Sequence, residues 1–136
     1  MSAPIDVSAQ NAVLDAMLGD GHASGMPAAF QLAIFDGDPT GTGAELTSSG
    51  GYARVVSIAN NSTNFPAADT GVKTGIAQTF PTSTAALSGL GKFWALFDQA
   101  NPTIPWFYGQ LSDVLNVGAS GVGYQVTPRL FWNSGT

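Results

Sequence analysis

The sequence predicts an all-β chain, a β-sandwich or jelly-roll-like barrel with one short N-terminal helix. Three observations lead there. Charged residues make up only 10% of the chain, against roughly 25% in ordinary soluble domains. Seventeen glycines and eight prolines supply turns in place of helix surface. Between those turns lie short apolar runs of strand length, and only one segment has helical periodicity. A chain of 136 residues fits one domain with a real core. Its expected organisation is an N-terminal arm, short helix and loop over residues 1–27, then a β-sandwich domain over 28–136.

The elements follow in chain order. Ser8 is placed to cap a helix over residues 9–18, with Ala9, Val13, Leu14, Met17 and Leu18 on its apolar side and Gly19 as the stop. About ten residues are marginal as an isolated helix, so this one must dock on the sheet or on a neighbour. Residues 30–35, Phe-Gln-Leu-Ala-Ile-Phe, form a strand halted by Asp36-Gly37-Asp38-Pro39. Residues 52–59 alternate, with Tyr52, Arg54, Val56 and Ile58 on one face. A polar turn at 60–64 and an irregular excursion lead to a strand near 72–80, ended by Pro81. Residues 90–97, 106–111 and 122–132 complete the set, with turns at 98–105 and 116–121. Pro128 marks the last strand as bulged, broken or at an edge. Leu32-Ala33-Ile34-Phe35-Asp36 and Trp94-Ala95-Leu96-Phe97-Asp98 resemble each other. A true duplication would make them equivalent central strands of two facing sheets; chance likeness of two buried strands explains the match as well.

Composition narrows the function. Nine acids against four bases give a net charge of −5, and the bases Arg54, Lys73, Lys92 and Arg129 are scattered. Nucleic-acid partners and anionic membranes are therefore not expected, since both need clustered cations. With no cysteine, disulfides, thiolate catalysis and zinc–thiolate sites are excluded. The N-terminus has no signal-peptide pattern, and no run reaches the ~20 apolar residues of a membrane-spanning helix. Synthesis in a cytoplasm is expected. So few charges also leave much of the surface Ser, Thr, Asn, Gly or apolar, which points to a covered surface and a homo-oligomer or assembly subunit.

Reactive constellations are sparse. His22 is the only histidine, in a glycine-rich loop, and one imidazole builds no metal site. Asp36 and Asp38 have the alternate spacing of calcium ligands, but Pro39 and Gly41 follow where further ligands are needed. Turn capping is the expected role. Glu45, the single glutamate, lies in a Gly and Ser segment without a facing acid in the sequence pattern, so no glycosidase pair is expected. Residues 48–51 and 118–123 have glycine spacings but lack the lysine and helix of a phosphate loop. Arg54 must reach an edge, pair with an acid or enter a buried network; a local structural pair is expected. Neither catalytic residues nor a cofactor are expected. The candidate interface residues are Val13, Met17 and Leu18 on the helix, with Trp106 and Trp132 as the tryptophans placed for exposure.

The run Phe30 to Pro39, followed by Gly50-Gly51-Tyr52-Ala53-Arg54, resembles a family of small tailed-bacteriophage virion proteins known variously as tail fibre, minor capsid or head decoration proteins. Further similar segments are the helix at 11–19, Thr79-Phe80-Pro81-Thr82, residues 93–98 and residues 107–111. The likeness spans about residues 11–112 and leaves out Pro128, Trp132 and the Asn133-Ser134-Gly135-Thr136 tail. It implies a β-rich virion component without catalytic residues. The expected role is a capsid decoration protein docked on the major capsid protein or other virion proteins. A tail fibre or a tail-tip receptor- or carbohydrate-binding module is the alternative. No fibrous shaft or heptad repeat is visible, which favours the capsid.

Overall fold

The computed structural model describes residues 5–131. Helix α1 spans Val7–Met17, and the strands are β1 (Ala29–Phe35), β2 (Val55–Ala59), β3 (Val72–Thr74), β4 (Gln78–Thr79), β5 (Gly91–Asp98), β6 (Asn101–Leu115), β7 (Gln125–Val126) and β8 (Arg129–Phe131). Four strands form one antiparallel sheet in the order β2-β1-β5-β6, and two ribbons pair β3 with β8 and β4 with β7. The fold is all-β and sandwich-like, with one short N-terminal helix, as expected.

One face of the large sheet makes the core. Phe30, Leu32, Ile34, Trp94, Leu96 and Phe107 project from it, and Phe65, Phe80, Tyr124 and Val126 close over them from the other layer. Tyr52, Phe80 and Tyr124 form a near-parallel stack, with centroids 6.0 and 5.5 Å apart. Burial pushes the Tyr124 phenol above its ordinary pKa. Gly109 sits opposite Trp94, and a Cβ there would lie 2.9–3.0 Å from the indole. The glycine is what lets β6 pass over that ring.

Several expected elements are subdivided. The helix begins two residues early because Asp6, rather than Ser8, is its cap: Asp6 Oδ2 accepts from the Ser8 amide at 2.9 Å. β2 is shorter than the alternating segment, and its alternation fails. Phe30 faces Ile58 while Leu32 faces Val55, so β2 carries one extra residue; Ser57 takes φ +57° and Val56 turns outward. This is a β-bulge. The 72–80 segment splits into β3 and β4, and the 122–132 segment splits at Pro128 into β7 and β8. The Gly75 amide donates to the Pro128 carbonyl at the junction of both breaks.

β6 is the largest departure. It begins at Asn101 inside an expected turn, because Gln99 and Ala100 alone connect it to β5. Pro102 and Pro105 fit within it because, among the described residues, β6 is an edge strand with one neighbour. The two similar pentapeptides are also differently placed than a duplication requires. They are adjacent antiparallel strands of one sheet, with Leu32 opposite Leu96 and Ala33 opposite Ala95.

Helix α1 is built into the domain by polar as well as apolar contacts. Leu14 and Leu18 are buried, Asn11 Oδ1 accepts from the Gly71 amide, and Asp15 Oδ1 lies 2.6 Å from Lys73 Nζ. Asn60, buried, ties down the helix end: its Oδ1 accepts from the Gly19 amide and its Nδ2 donates to the carbonyls of Met17 and Pro27. One side chain thereby satisfies a helix-terminal carbonyl that would otherwise lack a partner.

Candidate interaction surface

The outer face of the large sheet is not a plain solvent face. Ala33, Phe35, Ala95 and Phe97 form a second, smaller cluster there, with Phe35 and Phe97 stacked at 6.1 Å. Arg54 closes it. Its guanidinium lies 4.0 Å over the Phe97 ring, Nε and Nη2 grip both Glu45 carboxylate oxygens, and Nη1 donates to Gln31 Oε1 and the Pro102 carbonyl. Glu45 also accepts from the Tyr52 hydroxyl at 2.9 Å, which in turn accepts from the Ile34 amide. Burial raises the Tyr52 phenol far above its ordinary range, against the opposing pull of the Ile34 amide. The phenol therefore stays a hydrogen-bond donor. Arg54 is thus the expected local pair, extended into a network, and its partner is Glu45 of the Gly and Ser segment.

Replacing Arg54 with Lys is expected to cost about 1–2 kcal/mol, since a lysine keeps the charge but loses the fork and the planar stack. Phe97→Ala is expected to cost about 2–3 kcal/mol, at or below the usual range for a buried Phe, because water can enter the space on this outer face. Urea titrations of both variants check this. A Phe97→Ala loss below about 1 kcal/mol would place the ring outside any packed cluster.

Beyond this cluster lies β6. Its even-numbered residues from Ile104 to Val114 all face out: Ile104, Trp106, Tyr108, Gln110, Ser112 and Val114. Ile104 is 66% exposed and Trp106 44%. None of the six carries a charge. A cleft of about 840 Å³ runs beside the C-terminal half of the strand, between residues 110–115 and the segment 125–131. Leu111, Val114 and Phe131 give it apolar walls, and Asp113 and Arg129 lie on its lining.

The sequence-predicted interface residues sit on different elements. Trp106 is exposed on β6 and Val13 is exposed on α1, while Met17 is half-buried against the core. Leu18 is only 2% exposed and belongs to the main core, so it offers no surface. Trp132 lies outside the described residues. Ile104 was missed because Pro102 and Pro105 read as turn residues, Val114 because the strand was expected to end at 111, and Tyr108 although it lay within the expected strand; the outward even positions of 104–114 were the available signal.

The other candidate groups have structural partners. Asp36 Oδ1 accepts from the Ala44 amide, and Asp38 Oδ1 accepts from the Thr40 hydroxyl and amide. Those Thr40 bonds hold the Asp38 carboxyl below its usual pKa. Both aspartates therefore act as turn caps. His22 Nδ1 lies 2.6 Å from the Gly19 carbonyl. Gly50, at φ +71°, is required where a Cβ would lie 2.7–2.8 Å from the carbonyl oxygens of Ala86 and Ala85. Among the described residues, no helix is long and apolar enough to cross a membrane.

The fold and this surface define a small antiparallel β-domain whose edge strand carries an exposed row of six uncharged residues, Trp106 and Tyr108 among them. A family model, Podophage GP4 fiber I protein gp80, matches residues 5–124, and the chain belongs to that family. The resemblance to small tailed-phage virion proteins is thereby borne out, over a longer stretch than the motifs covered. No curated protein matches the chain.

Proposed function

We propose that this chain is a non-enzymatic structural subunit of a podophage fibre, held in the virion by contacts with other virion proteins. The match to a family named for a fibre, over residues 5–124, carries the reading. The exposed row on β6 supports it, because uncharged surface with Trp and Tyr at its centre is the composition of protein interfaces. Of the two placements weighed from sequence, the fibre draws support from the family name, and the capsid lattice draws none. Asp36 and Asp38, weighed as metal ligands, cap turns, and Glu45 is paired with Arg54.

Immunogold labelling of purified virions tests the location. Label on fibres is expected; label over the head would restore capsid decoration, and absence from the particle would overturn both. Attachment through the β6 surface is expected to survive about 1 M sodium chloride, where the Debye length is roughly 3 Å, because little Coulomb attraction is available to screen. Release of the protein by salt would assign its attachment to charged residues elsewhere.

A further inference from the structure

We propose that β6 pairs with β6 of a second copy of this chain, antiparallel about a two-fold axis at Gly109, joining two four-stranded sheets into one. The main-chain geometry supplies the first argument. The Gln99 amide donates to the Ala29 carbonyl, so the odd residues of β5 bond to β1 and its even residues face β6. Trp94 and Leu96 face Gly109 and Phe107. The amide and carbonyl of Tyr108 and of Gln110 therefore point off the edge of the sheet, which no other strand joins among the described residues. An edge with free main-chain groups and exposed apolar side chains is a template for another strand.

The second argument is self-complementarity. An axis at Gly109 sets Tyr108 against Gln110 of the other copy, and each pair can exchange both of the open main-chain bonds. β6 is in regular register with β5 over residues 107–110, with register shifts on both sides; continued past them, the dyad brings Trp106 toward Ser112 and Ile104 toward Val114, an apolar end toward an apolar end. Asp113, the only charged residue of β6, comes opposite Pro105 and not against its own copy. That matters in a chain of net charge −5, where many self-contacts would oppose acids.

The third is space. The half-strand 103–108 of the second copy would run beside residues 110–115, where the cleft of about 840 Å³ lies. Val114, on the exposed side of β6, is the wall that Ile104 and Trp106 of the second copy would meet. Pro102 and Pro105 reduce the donors of the strand's other half, so pairing is strongest in the register centred on the 108–110 segment. The dyad fills both clefts at once, which gives a closed pair and no open filament.

The protein's mass in solution is the first measurement, by light scattering at tens of micromolar. Twice the 13.9 kDa chain mass is expected. Gln110→Pro removes a main-chain donor that points away from β5, and is expected to weaken dimerisation at least ~10-fold, each lost ~1.4 kcal/mol being a factor of ten. Should that variant not fold, Trp106→Lys and Ser112→Lys, both at exposed positions, test the same contact. The chain has no cysteine, so Trp106→Cys combined with Ser112→Cys should give an oxidised two-chain product and no ladder. A monomer at 100 μM, a trimer, or a dimer that persists through these substitutions would overturn the proposal. None of these outcomes depends on where in the virion the protein resides.

Discussion

Phe30→Ala is expected to lower the free energy of unfolding by about 4–5 kcal/mol, at the upper end of the range for an aromatic core truncation. Phe30 is fully buried and takes part in edge-on contacts with Phe65 and Phe107, at 5.9 and 6.0 Å between centroids. Those rings come from three separate parts of the chain: β1, the turn after β2, and the edge strand β6. Truncation therefore leaves a cavity that no single element can close, and it forfeits two aromatic pairs worth about 0.5–1.5 kcal/mol each beyond area. Urea denaturation at neutral pH should show the midpoint falling with little change in slope. A loss below about 1 kcal/mol would mean that the two layers do not meet at Phe30, and the sandwich description would fail with it.

How much of this was legible in the sequence depends on where each constraint resides. β1 and β5 could be read almost to the residue, because both faces of a central strand are covered and the result is a continuous apolar run. β2 could be located but not its facing pattern. The bulge at Ser57 is set by pairing with β1, and Gln99 Oε1 accepts the Ser57 amide from 42 positions away. The ribbons β3–β8 and β4–β7 are two or three residues each, too short to leave a periodic trace. β6 was half-read for the opposite reason. Two prolines spoke for a turn, and only the sheet order reveals that they occupy an edge, where a missing donor costs little.

The surface was legible in kind. Low charge predicted a surface with few ionic groups, but which residues face outward follows from alternation along a strand whose beginning was misplaced. The same limit hid Asn60. An asparagine in a polar turn carries no mark of burial, and its three bonds reach residues 17, 19 and 27. Glu45 and Arg54 are nine positions apart and were separable as a pair only once the Phe35–Glu45 bridge brought the loop back onto β1.

Asp15→Ala is expected to cost about 3 kcal/mol, and Lys73→Met far less, although each removes the same ion pair. The pair is asymmetric. Lys73 is 2% exposed while the Asp15 side chain is 41% exposed, so the ammonium is inside and the carboxylate faces water. Asp15→Ala leaves a buried cation without a counter-charge, the case in which breaking a pair costs about 3–5 kcal/mol; partial exposure of the site places it at the lower end. Lys73→Met replaces the buried cation with an apolar chain of similar length, and the carboxylate left behind can hydrate and keep the Ala68 amide. The acid's titration gives a second readout. Desolvation alone would raise the Asp15 pKa, but hydrogen bonds from Lys73 Nζ and the Ala68 amide, with the lysine's charge, outweigh it and hold the carboxyl below its ordinary value. A group whose folded pKa is depressed contributes stability that is complete above its unfolded pKa, near 4, and is lost as pH falls through the folded value. Wild type should therefore lose stability below about pH 4 more steeply than Lys73→Met. Equal costs for the two substitutions, or parallel acid profiles, would show that the ammonium is hydrated and that the Asp15–Lys73 pair does not hold α1.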